Sequence, residues 1–527
     1  MPEAAASDTP GKAAPVVGGR LETRLAAGSF ASLVSLLFGI GTAIVQVPLL
    51  LAAWGEETYG AWLLASAAYS LIISLDLGHQ NYVANKISML GLHDVAACKR
   101  VLGSAVKAAC IIGMAEVAAA VAVAWSGLFS VWLPGEQSSV HAIRVQAAVS
   151  LIVQTLFFAT AGSIGGILVR LYVAGGLYAR AQWIGVTQRF AMFVGLVGAA
   201  ACGFSMGMAT CSYVLAGAVV CTYTFWDLRR TFPAYWPWWS DGSLSMGLRQ
   251  AVSSLGLTAT SVSDQCAAAG FLAISGSRIH ASGVATLGTL RTLSNSILQA
   301  AGVLVLPVLP DLSRFAASAD HGKANAALAA LWLISTAPLS VAVSILAPFA
   351  GDFFRWWTRG ALTFSAPLFV LLVCSTLVRQ WQSPMALFLF SANRVRAQFV
   401  ISLLRAGALF LTLAVGFYFF SDVSVAGVAI VVSELAGAVA TVVCTQLFLN
   451  ELRGSLPLAS AGLAAIQVGI YACGATFLMV NPESQNHVIT ACVLAHLAVV
   501  FLQWRYLPVE VKDRTRHVMG IGLSCSR

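Results

Sequence analysis

Charge is what this sequence has least of. Asp, Glu, Lys and Arg make up 10% of its 527 residues, against about 25% in soluble domains. With 58% hydrophobic residues and a mean hydropathy of +0.83, that scarcity excludes a soluble protein and leaves a membrane protein with many spans. Eleven cysteines run from Cys98 to Cys525 without a CxxC pair or a partnering His cluster. They read as small apolar residues within helices, so no disulfide, metal site or cofactor is expected. There is no GxxxxGK[ST] phosphate loop, which excludes a built-in ATPase. Residues 1–20 have no apolar core of a cleavable signal peptide and read as a disordered tail. A net charge of +9 would suggest a nucleic-acid partner in a soluble protein. Here Lys and Arg set orientation in the bilayer instead, and no nucleic acid is expected.

What is present is long apolar runs. Roughly 20 residues at 1.5 Å rise cross the ~30 Å hydrocarbon core. Spans are expected near 26–53, 59–89, 105–133, 142–170, 181–203, 206–226, 249–275, 283–309, 324–350, 363–391, 398–420, 424–449, 458–480 and 487–507. The third is long enough to have an interfacial end. With the N-terminus inside, 22 of the 30 Lys and Arg residues fall in cytoplasmic segments and 4 in outer ones. Arg189, Arg291, Arg379 and Arg405 lie deep within spans, the others at span ends or in the connections. That bias implies an even number of crossings and two cytoplasmic termini.

The chain also repeats. Tyr178-Ala179-Arg180-Ala181-Gln182 with Arg189 matches Arg394-Val395-Arg396-Ala397-Gln398 with Arg405, at an offset of 216 throughout. Leu215–Val219 recurs as Leu435–Val439 at an offset of 220. Both copies begin in cytoplasmic loops, which makes the repeat parallel, about an axis along the membrane normal. The expected fold is therefore all-α and polytopic, with fourteen helices in two pseudo-symmetric six-helix lobes plus two C-terminal helices. Its divisions are a tail 1–24, a first lobe 25–226, a loop 227–248, a second lobe 249–449, the last two helices within 450–507, and a tail 508–527. Trp236, Trp238 and Trp239 in the inter-lobe loop read as interfacial anchors.

The candidate site follows from charge placed inside apolar stretches. Arg291, Asn295, Gln299 and Gly302 recur at helical spacing on one face of the eighth span. An arginine at membrane depth costs about 2.5–3.5 kcal/mol and faces a bundle interior or a watery cavity. It either pairs with a carboxylate or lines an anion pathway. Arg379 with Ser375, Gln382 and Ser383 forms a second polar stripe, and Ser254, Thr258, Ser261 and Asp264 a third. Together with Glu116 and Glu434 these fit a cavity between the lobes. Arg189 and Arg405, nearer the cytoplasm, read as holding helix ends.

Val47–Asn85 reads VPLLLAAWGEETYGAWLLASAAYSLIISLDLGHQNYVAN. Its early Pro48, then Trp54-Gly55-x-x-x-Tyr59-Gly60-x-Trp62, then Leu75-Asp76-Leu77-Gly78, resembles the Wzx-like polysaccharide flippases. These belong to the multidrug/oligosaccharidyl-lipid/polysaccharide exporter superfamily. The resemblance implies a flippase, not an enzyme, in a bacterial inner membrane. Its cargo would be an undecaprenyl-pyrophosphate-linked oligosaccharide, moved from inner to outer leaflet, with polysaccharide polymerase machinery as a partner. Arg291 and Arg379 would then bind phosphate, and Asn295, Gln299 and Gln382 the sugar. Asp264, Glu116 and Glu434 become candidates for ion coupling, assisting the return of an empty, arginine-lined cavity. A drug antiporter of the same fold is the alternative. It is disfavoured by a first span without any acid and by arginines that repel cationic drugs. A membrane-embedded glycosyltransferase or ligase is disfavoured by short outer connections.

Overall fold

The computed structural model describes residues 21–90, 92, 94–305, 321–392, 394–420, 422–451, 454–507 and 512. The expected N-terminal tail, nearly all of the C-terminal one, the last residues of the eighth span and the basic residues Lys12, Arg20, Arg314, Arg453, Arg514, Arg516 and Arg527 lie outside these.

In lipid every backbone N–H and C=O must be satisfied within the protein, so an apolar stretch of this length becomes a helix. Among the described residues the chain forms fourteen long helices. They are α1 (21–54), α2 (56–90), α3 (Val95–Trp125), α4 (Ser138–Ala174), α5 (Tyr178–Ala201), α6 (Met206–Thr231) and α7 (244–279). Then come α8 (281–305), α9 (321–346), α10 (Ala366–Ser391), α11 (Val395–Phe419), α12 (Ser424–Glu451), α13 (Leu458–Val480) and α14 (Gln485–Tyr506). Ten stretches are apolar and long enough to cross a bilayer, and the first, Phe30–Ile87, is two helices. Helices α7, α8 and α10, whose middles are polar, complete the set. Gly127, at φ 76°, ends the third span, and Leu128–Trp132 follows as its short terminal piece.

The internal repeat is visible in the helix positions. α5 and α6 start at Tyr178 and Met206, and α11 and α12 at Val395 and Ser424. Each half opens on a hairpin with the same backbone turn: Gly55 at φ 75°, ψ 175° between α1 and α2, and His280 at φ 57°, ψ 177° between α7 and α8. Glycine tolerates that conformation without cost, whereas a side chain there is strained.

Helix α2 is the seam between the halves. A Cβ on Gly60 would lie 2.0 Å from the Ala281 carbonyl oxygen, and one on Gly78 would lie 2.2 Å from the Thr258 nitrogen. Gly60 is thus already inside α2 and serves close packing, not the tight turn that its spacing from Gly55 suggests. Between these two contacts Leu63, Leu64 and Leu71 press onto Gly288, Gly276 and Gly270 of the second half. At the end remote from the Trp-rich loop, Trp357 of the short helix Ala350–Trp357 donates to the Ile44 carbonyl at 2.7 Å.

Helices α13 and α14 dock on the second half. Trp381 of α10 donates to the Ala461 carbonyl at 2.8 Å, and Ser344 of α9 meets His496 of α14 at 2.9 Å. The Trp-rich loop folds back on α3, where Lys107 donates to the Gly242 carbonyl at 2.8 Å. Trp239 stays exposed as an interfacial anchor would, but Trp238 is buried in the apolar cluster at that end of α3. Arg229 lies over the Trp236 ring and Arg230 over that of Trp226, at 4.9 and 3.9 Å from the centroids.

Candidate functional site

A polar cavity lies inside the second half. It encloses about 390 Å³. Its polar wall comes from Thr260 and Asp264 of α7, Arg379 and Gln382 of α10, and Ser402 and Arg405 of α11, with Leu298 of α8 opposite.

The floor is a buried ion network centred on Glu434 of α12. Its carboxylate accepts from Arg405 Nη2 at 2.6 Å and from Gln382 Nε2 at 2.8 Å, with Arg379 Nη1 at 3.7 Å. Arg405 Nη1 also donates to Asp264 Oδ1 at 3.3 Å, and Ser402 Oγ donates to the same oxygen at 3.2 Å. Gly437, one turn beyond Glu434, lets the arginine stem lie flat on α12: a Cβ there would come 2.4 Å from Arg405 Cγ and Cδ. Thr441 Oγ1 fixes the Gln382 amide by donating to its oxygen at 3.2 Å. Charges at this depth persist because each meets an opposite charge and further hydrogen bonds.

Floor and rim differ in access. The Arg405 and Glu434 side chains keep 9% and 6% of their surface, whereas Arg379 and Asp264 keep 41% and 47%. The first pair holds helices together, and the second faces the cavity with unused hydrogen-bonding capacity. Arg291 stands beside them, half-buried, its guanidinium carbon 4.1 Å from the Phe271 ring centroid. A cation over an aromatic face is held by the ring quadrupole. Phe271 follows the widened turn Cys266–Gly270, an i→i+5 irregularity that displaces the helix just after Asp264.

Of the residues singled out in the sequence, Arg379, Gln382 and Asp264 come together in this cavity, and Glu434 lies beneath it. Asn295 is half-buried and Gln299 exposed, and neither lines it. Glu116 is fully buried in α3, in the other half. The structure adds Arg405, Ser402 and Thr260. Arg405 holds not a helix end but the floor. The signal for it was available: an arginine in one span and Glu434 in the next are the natural partners of a helix hairpin.

No family model and no curated protein sequence matches the chain. Solved structures do. The lipid II flippase MurJ in an inward closed conformation superposes with a TM-score of 0.62 at 12% identity, over 91% of this chain and 98% of that one. An inward-facing multidrug resistance MATE family transporter of the MOP superfamily gives 0.57 at 14% identity, over 82% and 98%. The MATE transporter VcmN of Vibrio cholerae gives 0.55 at 14%, over 81% and 97%. Likeness at such identities is one of fold, and the fold is that of the transporters and flippases of the MOP superfamily. The chain is a multi-pass membrane protein with that architecture.

Proposed function

We propose that this protein is a flippase for a polyprenyl-pyrophosphate-linked oligosaccharide, working by alternating access in a bacterial inner membrane with both termini in the cytoplasm. The observation that carries this reading is the open face of Arg379, in a membrane-embedded cavity with Arg405 behind it and Arg291 beside it. Arginine offers paired donors matched to phosphate oxygens, and Gln382, Ser402 and Thr260 offer partners to hydroxyls. Asn295 and Gln299, on the polar face of α8 outside this cavity, would meet the sugar only in another conformation of the carrier.

In the empty site Glu434 and Asp264 already offset Arg379 and Arg405. The resting carrier therefore returns with those two charges compensated. A pyrophosphate competes with these carboxylates for Arg379, and a proton or metal cation on Asp264 shifts that competition in its favour. Glu434 and, in the other half, Glu116 are the further coupling candidates. Moving one negative charge outward through a potential of about 100 mV releases about 2.3 kcal/mol, so loading and export run downhill electrically.

The test is flipping in proteoliposomes containing a polyprenyl-pyrophosphate oligosaccharide, with the potential and the proton and sodium gradients varied separately. Unmodified protein should transfer the lipid, and Arg379→Ala should transfer it about tenfold to a hundredfold more slowly. An alanine variant equal to wild type at equal protein level would remove the proposal. The exposure of Asp264 favours one second reading, export of small cations in exchange for protons or sodium. Efflux of a cationic dye, lost in Asp264→Asn and kept in Arg379→Ala, would establish that reading instead.

A further inference from the structure

The first half has its own cavity, where the internal repeat places the counterpart of the site above. It encloses about 400 Å³ between α2, α4, α5 and α6. Arg189, the repeat copy of Arg405, lines it together with Arg170, Gln80 and Gln188. Among the described residues neither arginine meets a carboxylate. Arg170 donates to Asn81 Oδ1 at 3.2 Å. Arg189 donates to Ser35 Oγ and, through Nε, to the Gly185 carbonyl at 3.2 Å. Each guanidinium has five N–H donors, so most of them remain for a ligand. Asp76 on α2 does not line the cavity, and its Oδ2 accepts from Gln80 Nε2 at 2.7 Å.

The cavity is graded along the membrane normal. Arg170 lies four residues before the end of α4, and Arg189 lies eleven residues into α5. At 1.5 Å per residue the two sample depths from the headgroup region to ~16 Å inside the helix. The remaining wall is apolar and aromatic, with Tyr69, Phe157, Phe158, Met192 and Tyr213. Helix α4 widens at Phe158–Gly162, and the Phe158 and Phe225 rings lie over Gly162 and Gly165. Two arginines without acids and an apolar, aromatic wall beside them match an amphiphile with a phosphate and a chain.

We propose that this cavity is a second lipid site, separate from the transport cavity, which holds the phosphate of an anionic membrane lipid between Arg170 and Arg189 with its chain along the aromatic wall. Two sources share that chemistry, a bulk anionic phospholipid and a polyprenyl phosphate. Native mass spectrometry of the purified full chain, titrated with phosphatidylglycerol or with phosphatidylcholine of the same chains, tests it. One phosphatidylglycerol should bind about tenfold or more tightly than phosphatidylcholine, as expected when charge-assisted bonds to phosphate are at stake. Arg170→Gln/Arg189→Gln should abolish that preference, while Arg379→Ala leaves it intact, which separates this site from the proposed transport function. Arg170→Gln alone breaks a single bond to Asn81, and should weaken the preference even if the double variant does not fold. Tighter binding of polyprenyl monophosphate than of phosphatidylglycerol would assign the carrier lipid as occupant. Equal binding of the two phospholipids to unmodified protein overturns the proposal. So does full preference in Arg170→Gln/Arg189→Gln, or displacement of phosphatidylglycerol by inorganic phosphate at matching concentration.

Discussion

Arg189 and Arg405 occupy the same place in two copies of one helix, in opposite company. Each reaches the first helix of its own half, Arg189 to Ser35 of α1 and Arg405 to Asp264 of α7. Arg405 also grips Glu434, whose copy at the repeat offset of 220 is Val214. Among the described residues one scaffold therefore supports a charge-balanced floor in the second half, and in the first Arg170 and Arg189 without a carboxylate partner. The second half can exchange partners, carboxylate for phosphate, and so suits a cargo that must be released. The first half can only attract an anion, and suits one that stays.

The largest effect is expected from Glu434→Ala, which strands Arg405 without its main partner. Removing one member of a buried pair costs roughly 3–5 kcal/mol, so the thermal midpoint in detergent should fall steeply. An unchanged midpoint would mean that the floor does not depend on this pair. Next is Arg379→Ala on the exposed rim. Flipping should fall by about tenfold to a hundredfold, equal to roughly 1.4–2.8 kcal/mol, while the midpoint barely moves. Arg379→Lys should lie between, keeping charge but losing the planar fork. Third, the two hairpin turns should respond oppositely. His280→Gly should raise the midpoint by the equivalent of about 1–2 kcal/mol, and Gly55→Ala should lower it by a similar amount. Shifts of the same sign would break the equivalence of the turns. The smallest effect belongs to Ser35→Ala, which removes a neutral acceptor from Arg189 at a cost of about 1 kcal/mol or less.

The spans were legible because a bilayer permits few alternatives to a long apolar helix. The repeat was legible because Tyr178 to Arg189 and Arg394 to Arg405 keep both spacing and arginine. What lay out of reach was which helix faces which. The stripe on α8 puts Arg291, Asn295 and Gln299 on one face, yet that face runs from the Phe271 ring to an exposed position within a few turns. The stripe on α7 likewise serves two purposes, with Thr258 against Gly78 of the other half and Asp264 in the cavity. Periodicity marks a polar face but carries no information about its neighbour. Gly60 likewise serves a contact with Ala281, more than 200 residues away, which spacing along the chain does not reveal.

A chain leaving the ribosome meets the bilayer one helix at a time, and the Arg405–Glu434 bond constrains that schedule. Either residue alone at the middle of a span costs about 2.5–3.5 kcal/mol to insert. Their helices, α11 and α12, are consecutive, so entering as a preformed hairpin lets each charge neutralise the other before either meets lipid. Asp264, by contrast, arrives on α7, well over a hundred residues before Arg405 exists to receive it. Until then α7 is expected to linger at the translocation channel or against α2, where Thr258 meets Gly78. The floor of the cavity thereby doubles as an order of assembly, with the second half incomplete until its last pair of lobe helices has arrived.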